Sequence, residues 1–246
     1  MQLPVEILDH IFGFLRVSHQ ETLLTCSKDP VLSLVVKKHL YYHIIVDTDD
    51  TIDSESRANY IFDPDCLLKL VSEDPRILHQ VRILQIQVGF TPLDKFSSTL
   101  LMFPVLECIR LIAPNGLFTL YGLFRDALKD RLGLPTVREV HITGCPRFPF
   151  SILGNGKNIE SLSLSGYFNN AIPFSEFYTS SPPLPQLKTL RLFTPYIHPW
   201  IKFHVNRLRS LKCCLSSGED LSKLLRVCSE TLKTLDLDII HSQCKV

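Results

Sequence analysis

The sequence lacks an excess of charge of either sign. Its 246 residues include 26 lysines and arginines and 25 aspartates and glutamates, so the formal net charge is only +1. A chain with so little net charge has no overall field that would attract nucleic acid or anionic lipid. We therefore expect neither nucleic acid nor a membrane surface among its partners.

Long apolar runs are also missing. Glu6, Asp9 and His10 interrupt the apolar N-terminus, which has no basic start, and no later segment stays apolar for the roughly 18 residues of a membrane span. The sequence thus predicts neither a signal peptide nor a transmembrane helix. We expect an intracellular protein, in the cytoplasm, the nucleus or both.

The eight cysteines include no C-x-x-C pair and no compact set like the framework of a small secreted domain. Cys213, within LKCC, stands where an apolar residue is expected. We therefore predict reduced, mostly buried thiols that pack as small hydrophobic side chains.

Motifs for catalysis and metal binding are absent from the sequence. There is no H-E-x-x-H and no G-x-S-x-G, and GNGK at 154–157 lacks the spacing and the following Ser or Thr of a phosphate-binding loop. His241 with Cys244, and His198 with His204, lack two further metal ligands at suitable spacing. We expect no catalytic residue, no metal and no cofactor, and hence a protein that is not an enzyme.

What the sequence does have is apolar periodicity, beginning at the N-terminus. Pro4 suits the first turn of a helix, which we expect to break near residues 18–20. One apolar stripe is predicted along this helix: Ile7, Leu8, Ile11, Phe12 and Leu15. A second short helix is predicted over 21–27, and a third with Asp29 as its N-cap and Pro30 as its first residue, continuing to Leu40.

Leu3-Pro4, Glu6-Ile7, Ile11-Phe12 and Leu15 follow the spacing L-P-x-E-I-x-x-x-I-F-x-x-L that opens F-box proteins, so this segment resembles an F-box. The resemblance implies docking on the Skp adaptor and, through it, on a cullin-RING ubiquitin ligase. The adaptor-binding residues that it implies are Leu3, Pro4, Ile7, Leu8, Ile11, Phe12, Leu15 and Leu24. The alternative is an amphipathic helix that only caps the following domain.

An acidic stretch, DTDDTIDSESRAN, starts at Asp47 and predicts an exposed linker. It lacks the glycine and the terminal glutamate of an EF-hand loop. Beyond it one pattern recurs: VRILQI, LECIRL, VREVHI, IESLSL, LKTLRL, LRSLKC and LKTLDL. Its apolar-x-apolar steps begin at 84, 109, 140, 162, 190, 211 and 235, and most intervals fall in or near the 20–29 residues typical of leucine-rich repeats. Helix-like segments lie between the steps, notably at 117–132 and 221–228.

A strand turns alternate side chains to one side, so Leu190 and Leu192 should face a core and Arg191 should face outward. One repeat cannot bury its apolar face alone, but stacked repeats can. The sequence therefore predicts an α/β protein: a helical F-box-like module at 1–46, an acidic linker at 47–65, and a leucine-rich-repeat solenoid of about seven strands at 66–246. We expect its parallel sheet to curve, with helices on the outer side.

The outward residues at the strand centres are the expected floor of a target-binding surface: Gln85, Arg110, His141, Ser163, Arg191, Lys212 and Asp236. Three are basic and one is acidic, so an acidic or phosphorylated target is one hypothesis. After LKTLDL only DIIHSQCKV follows, and we expect either that this end pairs with another surface or that the sequence is incomplete.

Together, the two patterns resemble F-box receptor families with degenerate leucine-rich repeats that are expanded in mushroom-forming fungi. The resemblance implies a substrate-recognition adaptor of an SCF-type E3 ubiquitin ligase, with an unknown target protein. The alternative is a leucine-rich-repeat interaction protein whose F-box-like start no longer binds the adaptor.

Overall fold

The structure is a computed structural model, which describes residues 4–18, 20–29, 32–47, 61–88, 94–113, 122–146, 148–166, 184–194, 205, 207–214 and 218–238. The described residues form three N-terminal helices followed by a mixed α/β region whose strands all join one sheet. Among the described helices, none combines the length and the apolar character needed to cross a membrane.

Three helices open the chain and form the helical module: α1 (Val5–Ser18), α2 (Gln20–Ser27) and α3 (Ser33–Leu40). The predicted helix after Pro4 is confirmed. The described part of the third helix begins at Ser33, and the predicted first residue, Pro30, lies outside the described residues. Asp29 Oδ1 accepts a hydrogen bond from the Leu32 N–H at 3.2 Å, which is the contact expected of the predicted N-cap.

Within the described residues the sheet contains nine parallel strands, in the order β2-β1-β3-β4-β5-β6-β7-β8-β9. Their bounds are β1 His43–Asp47, β2 Ile61–Phe62, β3 Ile83–Gln87, β4 Cys108–Ile112, β5 Glu139–Thr143, β6 Ser161–Ser165, β7 Thr189–Phe193, β8 Ser210–Cys213 and β9 Thr234–Leu237. Parallel strands need a crossover between them, and in this chain the crossovers carry the later helices.

The seven predicted steps are confirmed as strands β3–β9, and they stack in register. Their first apolar positions pair strand to strand in one inward row: Leu84, Ile109, Val140, Leu162, Leu190, Leu211 and Leu235. Most of this row is fully buried, but Leu235 on the last strand is 42% exposed. The inward row is therefore exposed to solvent at β9.

Four of the described helices pack on the inward side of the sheet: α4 (Pro64–Glu73), α5 (Asp94–Leu101), α6 (Gly122–Leu132) and α7 (Gly218–Cys228). Short 3₁₀ helices at Pro75–His79 and Phe150–Asn155 also line this side. We call β1–β9 with α4–α7 the sheet body. The predicted helices at 117–132 and 221–228 correspond to α6 and α7, although residues 117–121 lie outside the described residues.

The sheet starts earlier than predicted. Ile44 and Val46 of β1 are fully buried, and β1 pairs in register with β3, so the predicted module boundary at residue 46 falls inside a strand. The strand count exceeds the predicted seven because β1 and β2 were not among the predicted steps, although Ile44 and Val46 of β1 form an apolar-x-apolar step in register with Leu84 and Ile86 of β3. Of the predicted linker, residues 48–60 lie outside the described residues.

Close stacking of the turns after the strands requires glycine at residue 144. Gly144 follows β5 with a φ of +70°, and a Cβ there would lie 2.2 Å from the carbonyl oxygen of Ala113. The Gly144 N–H meanwhile donates to the Ser165 carbonyl at 2.9 Å, which continues the ladder beyond the strands. A left-handed φ and backbone at contact distance both exclude a side chain here.

Four of the described cysteines are buried, namely Cys108, Cys145, Cys213 and Cys228. Three of them belong to the core of the sheet body, which confirms that they pack as small hydrophobic side chains. Cys108 is the exception, because its side chain lies on the opposite face of the sheet, in the same register row as Glu139.

Candidate functional site

Helix α1 has two apolar faces. Its inner face carries Phe12, which is 4% exposed, with Leu8 and Leu15 packed beside it on the small core of the helical module. Its outer face carries Ile7, Ile11 and Phe14, which are 47%, 42% and 73% exposed. We call these three residues the outer stripe of α1. Their spacing of four and three residues aligns them along one side of the helix.

The structure divides the predicted adaptor-binding residues between the two faces. Pro4, Ile7 and Ile11 are exposed, whereas Leu8 and Leu15 are half-buried. Phe12 points into the module core and therefore does not offer its side chain to a partner in this conformation. Leu3 and the side chain of Leu24 lie outside the described residues. Phe14 is not among the predicted adaptor-binding residues, although its spacing of seven residues from Ile7 and three from Ile11 places it on the same side of the helix.

Polar contacts fix α1 against α3 beside the outer stripe. Lys38 Nζ donates to Asp9 Oδ1 at 3.0 Å, and His39 Nε2 lies 2.8 Å from the same oxygen. These contacts, first that of Lys38 and then that of His39, hold the pKa of Asp9 below its usual value. His10 packs edge-to-face on Phe14, with ring centroids 5.0 Å apart. A shallow groove between α1 and α3 is lined by Glu6, Asp9, His10, Gly13, Phe14 and His39.

The outward centres of the strands form a second row across the sheet. The predicted target-binding residues pair strand to strand in this order: Gln85, Arg110, His141, Ser163, Arg191, Lys212 and Asp236. Their placement in one row follows the sequence expectation. Their exposure varies, because Gln85 is only 8% exposed while Arg191 and Asp236 are exposed. We call this set the outward row.

Several charges of the outward row are already paired. Lys212 Nζ donates to Asp236 Oδ2 at 2.8 Å and lies 3.5 Å from Asp238 Oδ2, which raises the pKa of Lys212. His141 Nε2 lies 2.7 Å from Glu139 Oε1. Two residues predicted to bind a target, Lys212 and Asp236, therefore bind each other.

Arg110 has fewer hydrogen bonds than its guanidinium group can make. Its Nε is buried and has no hydrogen-bond partner among the described residues. On β1, burial and then the charge of Arg110 lower the pKa of His43 to about 4, so that imidazole is neutral at physiological pH. The outward face thus combines a cationic guanidinium on β4 with a neutral histidine on β1.

Three potential metal ligands meet beside Arg110. Cys108, Glu139 and His141 place one thiol, one carboxylate oxygen and one imidazole nitrogen within 4.8 Å of one another. The hydrogen bond with His141 is the largest cause of the lowered pKa of Glu139. Burial and then Glu139 raise the pKa of Cys108 to about 11.

Motif spacing along the chain does not find this cluster, because its members come from two strands. Cys108 and Glu139 occupy the third position of LECIRL and of VREVHI, and His141 occupies the fifth position of the latter. Stacking the repeats in register is the signal that places Cys108 beside Glu139.

Comparisons with known proteins found no matching family model, no matching curated protein and no matching solved structure. The assignment of function therefore rests on the residues and the geometry of this chain.

Proposed function

We propose that the chain is a non-catalytic adaptor of an SCF-type ubiquitin ligase. The helical module docks on an Skp adaptor, and the outward row of the sheet body contributes to binding a target protein. The observation that carries this proposal is the outer stripe of α1, since a helix whose inner face is already packed still exposes three large apolar side chains. Exposed apolar surface of this kind is typical of interaction sites.

The sequence motif and the exposed surface coincide in part. Pro4, Ile7 and Ile11 belong to the F-box-like motif and are exposed on α1, while Phe14 extends the same surface. The motif residue Phe12 contributes by another route, because it packs α1 against α2 and α3 and so fixes the direction of the outer stripe.

The free energy of burying the outer stripe indicates how much of the module must contact the adaptor. Complete burial of one large apolar side chain contributes about 1.5–3 kcal/mol. Ile7 and Ile11 are already about half buried, so the outer stripe offers roughly 4 kcal/mol in total. Association costs at least about 4 kcal/mol. A tight complex therefore needs further contacts around the stripe, for example from Pro4 and Val5.

For the sheet body we propose a curved leucine-rich-repeat solenoid. The recurrent apolar step, the parallel register and the helices on one side of the sheet support this assignment. The paired charges of Lys212 with Asp236 and of His141 with Glu139 argue against a strongly charged target surface. We therefore favour a target that contacts the sheet mainly through shape and hydrogen bonds.

Co-expression with an Skp adaptor tests the proposal. We expect a one-to-one complex in size-exclusion chromatography, and loss of that complex with the double variant Ile7→Asp and Ile11→Asp. Leu123→Asp is the matched control, because Leu123 is 66% exposed on α6, away from the module. A wild-type chain that stays monomeric beside micromolar adaptor would contradict the proposal and favour a repeat protein that has lost adaptor binding.

A further inference from the structure

We propose that the outward face of the sheet binds a divalent transition-metal ion of the zinc class between β4 and β5. Its ligands are Cys108 Sγ, a carboxylate oxygen of Glu139 and His141 Nε2. This site is independent of the proposed adaptor docking, since it concerns the isolated chain and uses no residue of the helical module. It shares His141 with the outward row that we propose contributes to target binding.

Backbone register brings the three ligands together. Cys108 pairs directly with Glu139 across β4 and β5, and His141 lies two residues after Glu139, hence on the same face. The three ligand atoms lie within 4.8 Å of one another. A tetrahedral zinc ion with bonds of about 2.0–2.3 Å requires ligand separations of roughly 3.5 Å. Small side-chain rotations are therefore enough, and the strands do not need to move.

The donor types select the metal. Thiolate and imidazole ligands favour zinc and similar ions, whereas magnesium and calcium prefer sites built from oxygen atoms alone. Three protein ligands leave one tetrahedral position for water or for a donor atom of a bound molecule. Because the cluster lies on the outward face, this position is on the side where the proposed target would bind.

The surrounding charges permit a divalent ion. Arg110 on β4 and Arg191 on β7 both act electrostatically on Glu139, and neither would favour a bare cation nearby. Thiolate and carboxylate together carry two negative charges, which balance the metal, while His141 binds as the neutral imidazole. Burial and then Glu139 keep the Cys108 thiol protonated without metal, and Arg110 offsets this only in part, so a bound metal must displace the thiol proton.

The same contacts have a simpler explanation without a metal, in which Glu139 and His141 form an ion pair and Cys108 fills space beside them. The two explanations differ in what Cys108 does. A metal ligand must lose its proton, so metal affinity should rise from mildly acidic to mildly alkaline pH. If Cys108 only fills space, its protonation has no effect on metal affinity, and no such pH dependence is expected.

Titration of the purified full-length chain with Co²⁺ tests the site. We expect one ion per chain and a near-ultraviolet thiolate-to-cobalt charge-transfer band, with Zn²⁺ displacing Co²⁺ and Mg²⁺ leaving it in place. Cys108→Ser should abolish the band. His141→Ala and Glu139→Gln should each weaken Co²⁺ and Zn²⁺ binding at least about tenfold.

Matched controls come from the same residue types elsewhere. Cys66→Ser and His79→Ala change exposed residues away from the cluster and should leave the band and the affinity unchanged. Circular dichroism of each variant checks folding. If Cys108→Ser does not fold, His141→Ala decides the question, because His141 lies on the open face of the sheet.

Two results would overturn the proposal. One is equal Co²⁺ affinity of the wild type and His141→Ala, which would exclude a site at this cluster. The other is a charge-transfer band that survives Cys108→Ser but disappears with Cys66→Ser, which would identify an adventitious surface thiol. Adaptor binding by the helical module should be the same with and without metal, so failure of one proposal leaves the other testable.

Discussion

The helical module and the sheet body bury their apolar surface to very different extents. In the sheet body, helices and inward rows share one contiguous core that includes the fully buried Phe96 and Leu162. Among the described residues of the module, the buried apolar side chains are Phe12, Leu23, Val36 and Leu40, while the outer stripe of α1 is exposed. Tyr41 packs against both cores and joins them at the start of β1.

The difference indicates where each region obtains its stability. A unit of three short helices is too small to bury enough surface on its own, so it gains from a partner or from the rest of the chain. Contact with the sheet body includes Tyr41 and an ion pair of Lys37 with Asp74 at 4.0 Å. We therefore expect the module to open at lower cost than the body, and docking to stabilise it.

The largest effect should come from the core of the sheet body. Leu162→Ala removes a fully buried side chain from the centre of the inward row, and such cavities cost about 2–5 kcal/mol. Chemical denaturation should show the full loss in the free energy of unfolding. Ser163→Ala, the next residue on the opposite face, should change it by less than about 0.5 kcal/mol. Similar losses for both variants would contradict the assignment of faces.

A smaller global effect is expected from the core of the module. Phe12→Ala should open α1–α3 while the sheet body stays folded, because the two cores share no buried residue in the described part of the chain. Hydrogen exchange should accelerate in peptides from residues 4–40 and stay unchanged in β4–β7. Phe14→Ala is the control on the outer face of the same helix and should leave exchange unchanged. Faster exchange throughout the chain with Phe12→Ala would mean that the two regions unfold together.

The third prediction is that the cost of truncating a leucine in the inward row depends on how deeply that leucine is buried. Leu235 occupies the same register position as Leu162, but it is 42% exposed on the last described strand. Leu235→Ala should therefore cost about 1 kcal/mol, less than half the effect of Leu162→Ala. Thermal unfolding of the two variants side by side gives the comparison. An equal cost at both positions would mean that a further surface covers β9 in solution.

The sequence predicted the repeated part of the fold because each step repeats the same physical requirement. A strand in a stacked sheet needs apolar residues at alternate positions. Segments such as VREVHI and LKTLRL therefore predict both the strand and its register. Strand β1 carries the same step in Ile44 and Val46, but Tyr41 stands where the other repeats have an aliphatic residue, and the strand was assigned to the helical segment. Its pairing of Ile44 with Leu84 and of Val46 with Ile86 shows that it follows the same register as the predicted steps.

The candidate sites were predicted less completely. The alignment of the outward row followed from the repeats, but the burial of Gln85 and the pairing of Lys212 with Asp236 depend on side-chain conformations across strands. On α1, one broad apolar stripe was predicted, and the structure separates Phe12 from Ile11 because only one side of the helix meets α2 and α3. Periodicity identifies an amphipathic helix without stating how much of its apolar side is covered.

The smallest effect concerns pH and the attachment of α1 to α3. The pKa of Asp9 lies below its usual value of 3.8 because Lys38 and His39 stabilise the carboxylate. A lowered pKa in the folded state gives stability that is present above the unfolded pKa and is lost as pH falls through the folded pKa. Asp9 is 40% exposed, so its pairing should contribute less than about 1 kcal/mol. In the wild type, the protection factors of α1 amides, measured against an unstructured peptide at the same pH, should therefore fall below about pH 4. Those of Asp9→Asn should be lower at neutral pH and change little on acidification. A wild-type pH response that Asp9→Asn retains would assign the effect to another acidic group and would leave the two helices joined mainly by the Phe12 core.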